Sequence, residues 1–391
     1  MLIRCRDEGS INSYYNKMSC KKCNSPQTVT LRKKDYYCND CYKINTNHKF
    51  RACLGKNKIL SPNENVLICL SGGIASTVLQ DLIHHGISLD NTKKLRIVPY
   101  FFHLYGNDTN AGAVVKYLLE CCKKYNSDLY IVNLSDYLKT YNQLPKVNCI
   151  QEADKDEASR FQDMLNSMPP TAANDFLLKI KRNLFVKYAR LLKCNVVFTA
   201  ETTNTLAINL LSNLAIGRGS QGFCDIRDEK VKIIRPMKDI SKEELDYYVS
   251  IKSLLPIIKS RMNNNNSLQA VISSFVCDLQ ENFQSTISTV CKTADKIGDH
   301  SEYVVLEKCL LCQSDLSTKN LKMSALEATN ISRTVSLSNN STEEVSTFFE
   351  TDNHAAVFPH VHKNLCYGCS RNHSEMNRPS LPLHLQEILY P

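Results

Sequence analysis

No stretch of this chain approaches the ~18 consecutive apolar residues that a membrane-spanning helix requires. Its opening, with Arg4, Arg6, Asp7 and Glu8, lacks the continuous apolar segment of a secretory signal. The expectation is a cytosolic protein with no membrane partner. Tryptophan is absent altogether, so any aromatic stacking falls to tyrosine and phenylalanine. Nor is there a surplus of charge over most of the length. The net charge is +9, but residues 1–58 hold 13 Lys or Arg against four Asp or Glu, so everything after Lys58 is balanced. A positive surplus confined to one end is the footprint of a surface that meets polyanions, because a phosphate backbone responds to local positive potential. Tyr14, Tyr15, Tyr36, Tyr37, Tyr42 and Phe50 interleave with those bases and are candidates to stack on unpaired nucleotides; core packing is the alternative.

What is present in excess is cysteine, 18 in 391 residues. Eight fall into four Cys-x-x-Cys pairs: Cys20 and Cys23, Cys38 and Cys41, Cys309 and Cys312, Cys366 and Cys369. In a reducing compartment such pairs point to metal before disulfide. The first two lie at zinc-ribbon spacing, and Thr28–Leu31 with Tyr36-Tyr37 suits a small hairpin between them. The last two are separated by a Ser/Thr/Asn-rich stretch and form a second candidate zinc site, with His360 and His362 as substitute ligands. A redox role is the competing reading of such pairs. Most of the other cysteines read as small core hydrophobes.

The organising stretch begins at Asn65. A β-branched run, Val66-Leu67-Ile68-Cys69-Leu70, leads into Ser71-Gly72-Gly73-Ile74-Ala75-Ser76-Thr77 and then an apolar-periodic helix. Paired glycines let backbone N–H groups converge on an anion at the positive end of a helix, and Ser71, Ser76 and Thr77 add hydroxyls. Strand and helix patterns then alternate through about five strands, which argues for a parallel sheet wrapped by helices with ligands at the strands' carboxyl ends. Ser241-x-x-Glu244 is a capping box. On the helix over 173–193, Leu177, Ile180, Leu184, Tyr188 and Leu191 share an apolar face, with Lys179 and Arg182 away from it. The expected organisation is a basic ribbon-like segment at 1–58, an α/β domain at 59–260 with an irregular insertion at 135–170, a helical extension at 261–308, and a cysteine-bearing region at 309–391 with a polar insertion at 313–356.

The Ser-Gly-Gly loop resembles that of the PP-loop ATP pyrophosphatases. Taken with the basic ribbon, Lys181-Arg182-Asn183-Leu184-Phe185, Asn195–Thr205, Ile233-Ile234-Arg235-Pro236-Met237 and Cys366-Tyr367-Gly368-Cys369, the chain is similar to the tRNA 2-thiolation branch of that family. Within it the chain most resembles the cytoplasmic tRNA 2-thiolation protein 2 family. The resemblance implies a PP-loop fold (adenine nucleotide alpha hydrolase-like) and structural zinc. It also implies tRNA as partner, a heterodimer with a catalytic PP-loop thiolase paralogue, and a thiocarboxylated ubiquitin-related modifier as sulfur donor. The modified base would be the wobble uridine of lysine, glutamate and glutamine tRNAs. The chemistry of the active relatives is stripped here. Ala75 stands where the loop Asp belongs, Glu201-Thr202-Thr203-Asn204-Thr205 replaces a His-Asn-x-Asp-Asp run, and Asn174–Ile180 lacks the expected Cys-x-x-Cys. ATP binding is left doubtful, Ser71, Gly72, Gly73, Ser76 and Thr77 become a vestigial nucleotide loop, and no catalytic residue is assigned. Gly217-Arg218-Gly219 and Arg235 read either as residual phosphate contacts or as loop and surface residues, and Cys224 as a possible leftover sulfur site. The rival readings are an ATP-dependent tRNA thiolase in its own right, or a zinc-dependent RNA-binding module.

Overall fold

The structure is a computed structural model that describes residues 19–31, 34–55, 60–90, 94–106, 110–139, 143–150, 154–218, 226–228, 231–257, 266–283, 285–298, 309–312 and 365–374, with a few isolated positions besides. Tyr14, Tyr15, Cys224, His360, His362 and nearly all of the polar stretch 313–356 lie outside the described residues.

The centre is a six-stranded sheet in the order β5-β4-β3-β6-β8-β7, made of β3 (Glu64–Cys69), β4 (Ile97–Tyr105), β5 (Leu129–Asn133), β6 (Val196–Phe198), β7 (Ile226–Asp228) and β8 (Val231–Ile234). Five strands run parallel and β7 closes one edge antiparallel to β8. With period-2 alternation, β3 aims Val66, Ile68 and Leu70 at one face, and Leu67 and Cys69 at the other. Both faces are covered, which is why the strand reads as a continuous apolar run instead of an alternating one. On the first face lie α2 (Ile74–Ser88), α3 (Ala111–Lys124) and α7 (Lys242–Lys252); on the second lie α4 (Lys155–Asn166) and α5 (Pro170–Leu191). Helix α7 opens on the expected capping box, in which the Glu244 N–H donates to Ser241 Oγ at 3.3 Å and the Ser241 N–H to Glu244 Oε2 at 2.9 Å. A smaller core joins α6 (Thr203–Ala215), α8 (Leu268–Asn282) and α9 (Thr286–Gly298) through Leu206, Leu210, Val276 and Ile287.

Three expectations are corrected. The insertion 135–170 is not irregular throughout: α4 lies within it, with Asp154 capping it by accepting from the Asp156 N–H, and Phe161, Met164 and Met168 enter the main core. Its narrow apolar edge is hidden by the polar residues around it. At the N-terminus, β1 (Val29–Leu31) and β2 (Asp35–Tyr37) form the expected hairpin, but the following helix α1 (Asn39–Gly55) docks on the sheet domain. Tyr42 and Phe50 are completely buried there, and the Tyr42 hydroxyl donates to the Glu244 carbonyl, so neither is a stacking platform. Lastly, Lys179 is not on an outer face of α5 but buried.

Candidate functional site

The strand order reverses between β3 and β6, and an open parallel sheet presents its ligand crevice at such a switch point. The Ser71-Gly72-Gly73 turn follows β3, and Thr199–Asn204 follows β6, so the two candidate segments meet there. Gly72 has φ +78°, and a Cβ on it would lie 2.7 Å from Val114 Cγ1, so backbone geometry and the neighbouring helix α3 both demand glycine. Gly73 caps α2 without a side-chain bond to the helix.

The loop hydroxyls turn inward. Ser76 Oγ and Thr77 Oγ1 donate to the Gly73 carbonyl at 3.0 and 3.1 Å, and both residues are buried. Ser71 Oγ donates to Ser76 Oγ at 3.2 Å, and the Ile257 N–H donates to the Gly72 carbonyl at 3.0 Å. Beneath the turn, buried His103 places Nδ1 2.7 Å from the Leu70 carbonyl oxygen; a carbonyl only accepts, so Nδ1 carries the proton. A histidine in the middle of an apolar strand pattern gave no signal for that role.

The carboxylate beside the loop is committed elsewhere. Glu201 Oε2 accepts from Arg235 Nε at 2.7 Å and from Thr199 Oγ1 at 3.0 Å, while Oε1 accepts from Asn209 Nδ2 at 3.2 Å. Arg235 is 4% exposed, so it is not a surface charge. Asn204 Oδ1 accepts from the Lys242 N–H at the start of α7.

All eight paired cysteines converge as expected, in two tetrads whose sulfurs lie within 4.8 Å of one another. In the first, Cys23 and Cys38 sulfurs are 3.5 Å apart; in the second, Cys312 and Cys366 are 3.7 Å apart. A tetrahedral ion with metal–sulfur bonds of ~2.3 Å sets sulfur–sulfur edges of roughly 3.8 Å, so each tetrad fits a single ion. In the N-terminal tetrad the Lys22 and Cys41 N–H groups donate to Cys20 and Cys38 sulfurs, both at 3.5 Å. Burial works against the Cys20 thiolate, but the N–H groups of Lys22, Cys38 and Cys23 outweigh it and bring its pKa down to about 6. In the C-terminal tetrad, hydrogen bonds to neighbouring thiols and then burial hold the protons of Cys309 and Cys366 far above the ordinary thiol range. A cation would take the place of those protons.

The C-terminal tetrad is locked to the domain by charges on α5 and the turn after α6. Asp175 accepts from Arg218 at 2.8 and 2.9 Å, from Lys179 Nζ at 2.5 Å and from Asn372 Nδ2 at 2.5 Å. Burial opposes the Asp175 carboxylate, yet Lys179 and Arg218 outweigh it and hold its pKa below the usual value. Burial likewise opposes the Lys179 ammonium, and the Cys369 and Asp175 charges overcome it and raise its pKa. Arg218 therefore belongs to a buried ion network, not to a loop surface. The motif Cys366-Tyr367-Gly368-Cys369 lies at the start of a further helix, α10 (Tyr367–Ser374), and leaves little room at its glycine: a Cβ on Gly368 would stand 3.1 Å from the Ile216 carbonyl oxygen and 3.3 Å from an Arg218 guanidinium nitrogen.

An open parallel sheet with a strand–Gly-Gly–helix turn at its switch point, flanked by two cysteine tetrads, defines an α/β protein of the PP-loop class. The solved U34-tRNA thiolase NcsA of Methanococcus maripaludis, determined with its 4Fe–4S cluster, shares the fold: TM-score 0.56 at 20% identity, over 78% of this chain and 94% of that one. The family model for cytoplasmic tRNA 2-thiolation protein 2 matches residues 267–371. The protein of that name in Drosophila erecta is 31% identical over 77% of this chain and 78% of its own length. The one in Drosophila virilis is 29% identical over 93% and 92%. The chain belongs to the cytoplasmic tRNA 2-thiolation protein 2 family. Among the described residues no helix is long and apolar enough to cross a membrane.

Proposed function

We propose that this chain acts in the cytoplasm as the non-catalytic partner subunit in 2-thiolation of the wobble uridine of tRNA for lysine, glutamate and glutamine. On this reading a catalytic PP-loop paralogue performs the chemistry in a heterodimer, with a thiocarboxylated ubiquitin-related modifier supplying sulfur. The observation that carries the proposal is Glu201 bound to buried Arg235 beside a loop whose Ser76 and Thr77 hydroxyls point back at Gly73. Adenylating a uridine oxygen needs a divalent cation held by free carboxylates next to the phosphate cradle. Ala75 offers none and Glu201 is engaged. Ser71, Gly72, Gly73, Ser76 and Thr77 are then a retained fold element, in which the loop shapes the turn without turning over ATP.

Both tetrads are read as structural zinc sites, because four thiolates at tetrahedral spacing leave no open coordination position for chemistry. The basic N-terminal segment lends positive potential for tRNA.

The test has two arms. Cells lacking the chain should lose wobble 2-thiouridine, and the isolated chain should show no tRNA-dependent ATP–pyrophosphate exchange. Unchanged thiouridine overturns the role. Exchange by the isolated chain that disappears in Gly73→Asp overturns the non-catalytic assignment and makes the chain a thiolase itself.

A further inference from the structure

The two tetrads differ in what surrounds their sulfurs. In the N-terminal one the sulfurs of Cys20 and Cys38 accept from backbone N–H groups, Cys23 is exposed, and the adjacent Lys21 is spent on Asp35 at 2.7 Å. In the C-terminal one, cationic side chains are among the donors. Lys179 Nζ lies 3.1 Å from Cys369 Sγ, an Arg218 guanidinium nitrogen lies 3.6 Å from the same sulfur, and Arg182 donates to the Cys312 carbonyl at 3.0 Å. Lys179 and Arg218 are each 8% exposed, so water screens these contacts little.

Charge gives the arrangement its meaning. Four thiolates around one divalent ion carry two net negative charges, which is unfavourable in a buried site without compensation. Among the described residues, Lys179, Arg218 and Arg182 bring positive charge to the tetrad, and Asp175 offsets part of it. Asp175 has a separate task. By accepting from Lys179, Arg218 and Asn372 at once, it fixes both cations against the helix that carries Cys369.

We propose that Lys179 and Arg218 are the counter-cations of a divalent ion held by Cys309, Cys312, Cys366 and Cys369. Lys179 is a positioning residue that donates to the Cys369 thiolate, so that this tetrad retains its ion longer than the N-terminal one does. The proposal rests on the metal reading given above. Outer-shell partners of this kind typically change metal affinity by ~10–100-fold.

The test uses the full chain loaded with zinc and mixed with excess chromogenic chelator. Release is expected in two phases of one equivalent each. Lys179→Met should speed the slow phase about tenfold or more and leave the fast phase unaltered, while Lys179→Arg keeps it slow. With cobalt(II) in place of zinc, Lys179→Met should move the sulfur-to-cobalt charge-transfer band to longer wavelength, because removing an N–H donor raises the energy of the sulfur electrons. A purely structural loss would not shift that band. If Lys179→Met fails to fold, Arg218→Gln and Lys179→Gln are read in the same two assays. A slow phase and band unchanged by these substitutions overturn the inference but leave the metal reading intact. A wild-type chain that binds no ion at its C-terminal cysteines overturns both.

Discussion

The ring of Tyr367 lies directly on Gly217: a Cβ placed on that glycine would come within 2.4 Å of Tyr367 Cδ1. Gly217 ends helix α6 at φ +78°, its N–H donating to the Leu214 carbonyl, and the next residue is Arg218 of the buried ion network. The turn that aims Arg218 at Asp175 is therefore the surface on which the C-terminal cysteine knuckle sits. One glycine serves both backbone and packing.

Gly217→Ala should consequently destabilise the protein by about 1–3 kcal/mol, since an L-residue is strained at that φ and its methyl meets the ring. Tyr367→Ala in the same chain should recover the packing share and leave the backbone share. A double-mutant cycle from urea midpoints should show a coupling of about 0.5–3 kcal/mol between the two positions. Additive effects would mean that the ring does not rest on this glycine in solution.

Glu201 offers a sharper choice between structure and chemistry. With Arg235 4% exposed and its Nε donating to Glu201, neutralising the carboxylate takes a counter-charge away from a buried guanidinium. Such a break costs on the order of 3–5 kcal/mol, and the partial exposure of Glu201 places Glu201→Gln toward the lower end. Adding Arg235→Met should restore part of the loss, because an apolar replacement removes the buried charge that the carboxylate answered. Thermal unfolding of the four proteins, with and without magnesium, decides the matter. Magnesium-dependent stabilisation of the wild type that vanishes in Glu201→Gln would make this carboxylate a metal ligand instead.

Local and periodic signals carried most of the scaffold. The apolar run at Val66–Leu70, the Gly-Gly turn, the Ser241 box and four Cys-x-x-Cys pairs each announce themselves within a few residues. What stayed hidden depends on partners far along the chain. Lys179 and Cys369 are 190 residues apart, and on the helix alone Lys179 reads as solvated; only the folded chain shows a sulfur and a carboxylate waiting for it. Glu201 and Arg235 likewise look like a free carboxylate and a free base until β6 and β8 lie side by side. Tyr42 and Phe50 misled in the opposite direction, because a basic neighbourhood in sequence says nothing about which side of α1 faces α7. Burial of a charge is a tertiary fact, and the site's polar network is made of such burials.

His84 makes the same point through pH. It lies on α2 with its ring stacked on Tyr125 at 3.9 Å between centroids and tilted against Phe101 at 5.2 Å. Its buried Nε2 has no hydrogen-bond partner among the described residues, and burial brings its pKa down from 6.5 to about 4, with Asp81 only partly opposing that shift. The sign follows directly. Above pH 6.5 the imidazole is neutral in folded and unfolded chains alike and this stabilisation is fully present; as pH falls from 6.5 toward 4, the unfolded chain binds a proton that the folded one refuses. Stability should fall over that window. His84→Phe keeps an aromatic on Tyr125 and removes the titration, so its urea midpoint should drop less than the wild type's between about pH 7.5 and about pH 5. Parallel declines in the two proteins would show that the ring is already solvated in the native state.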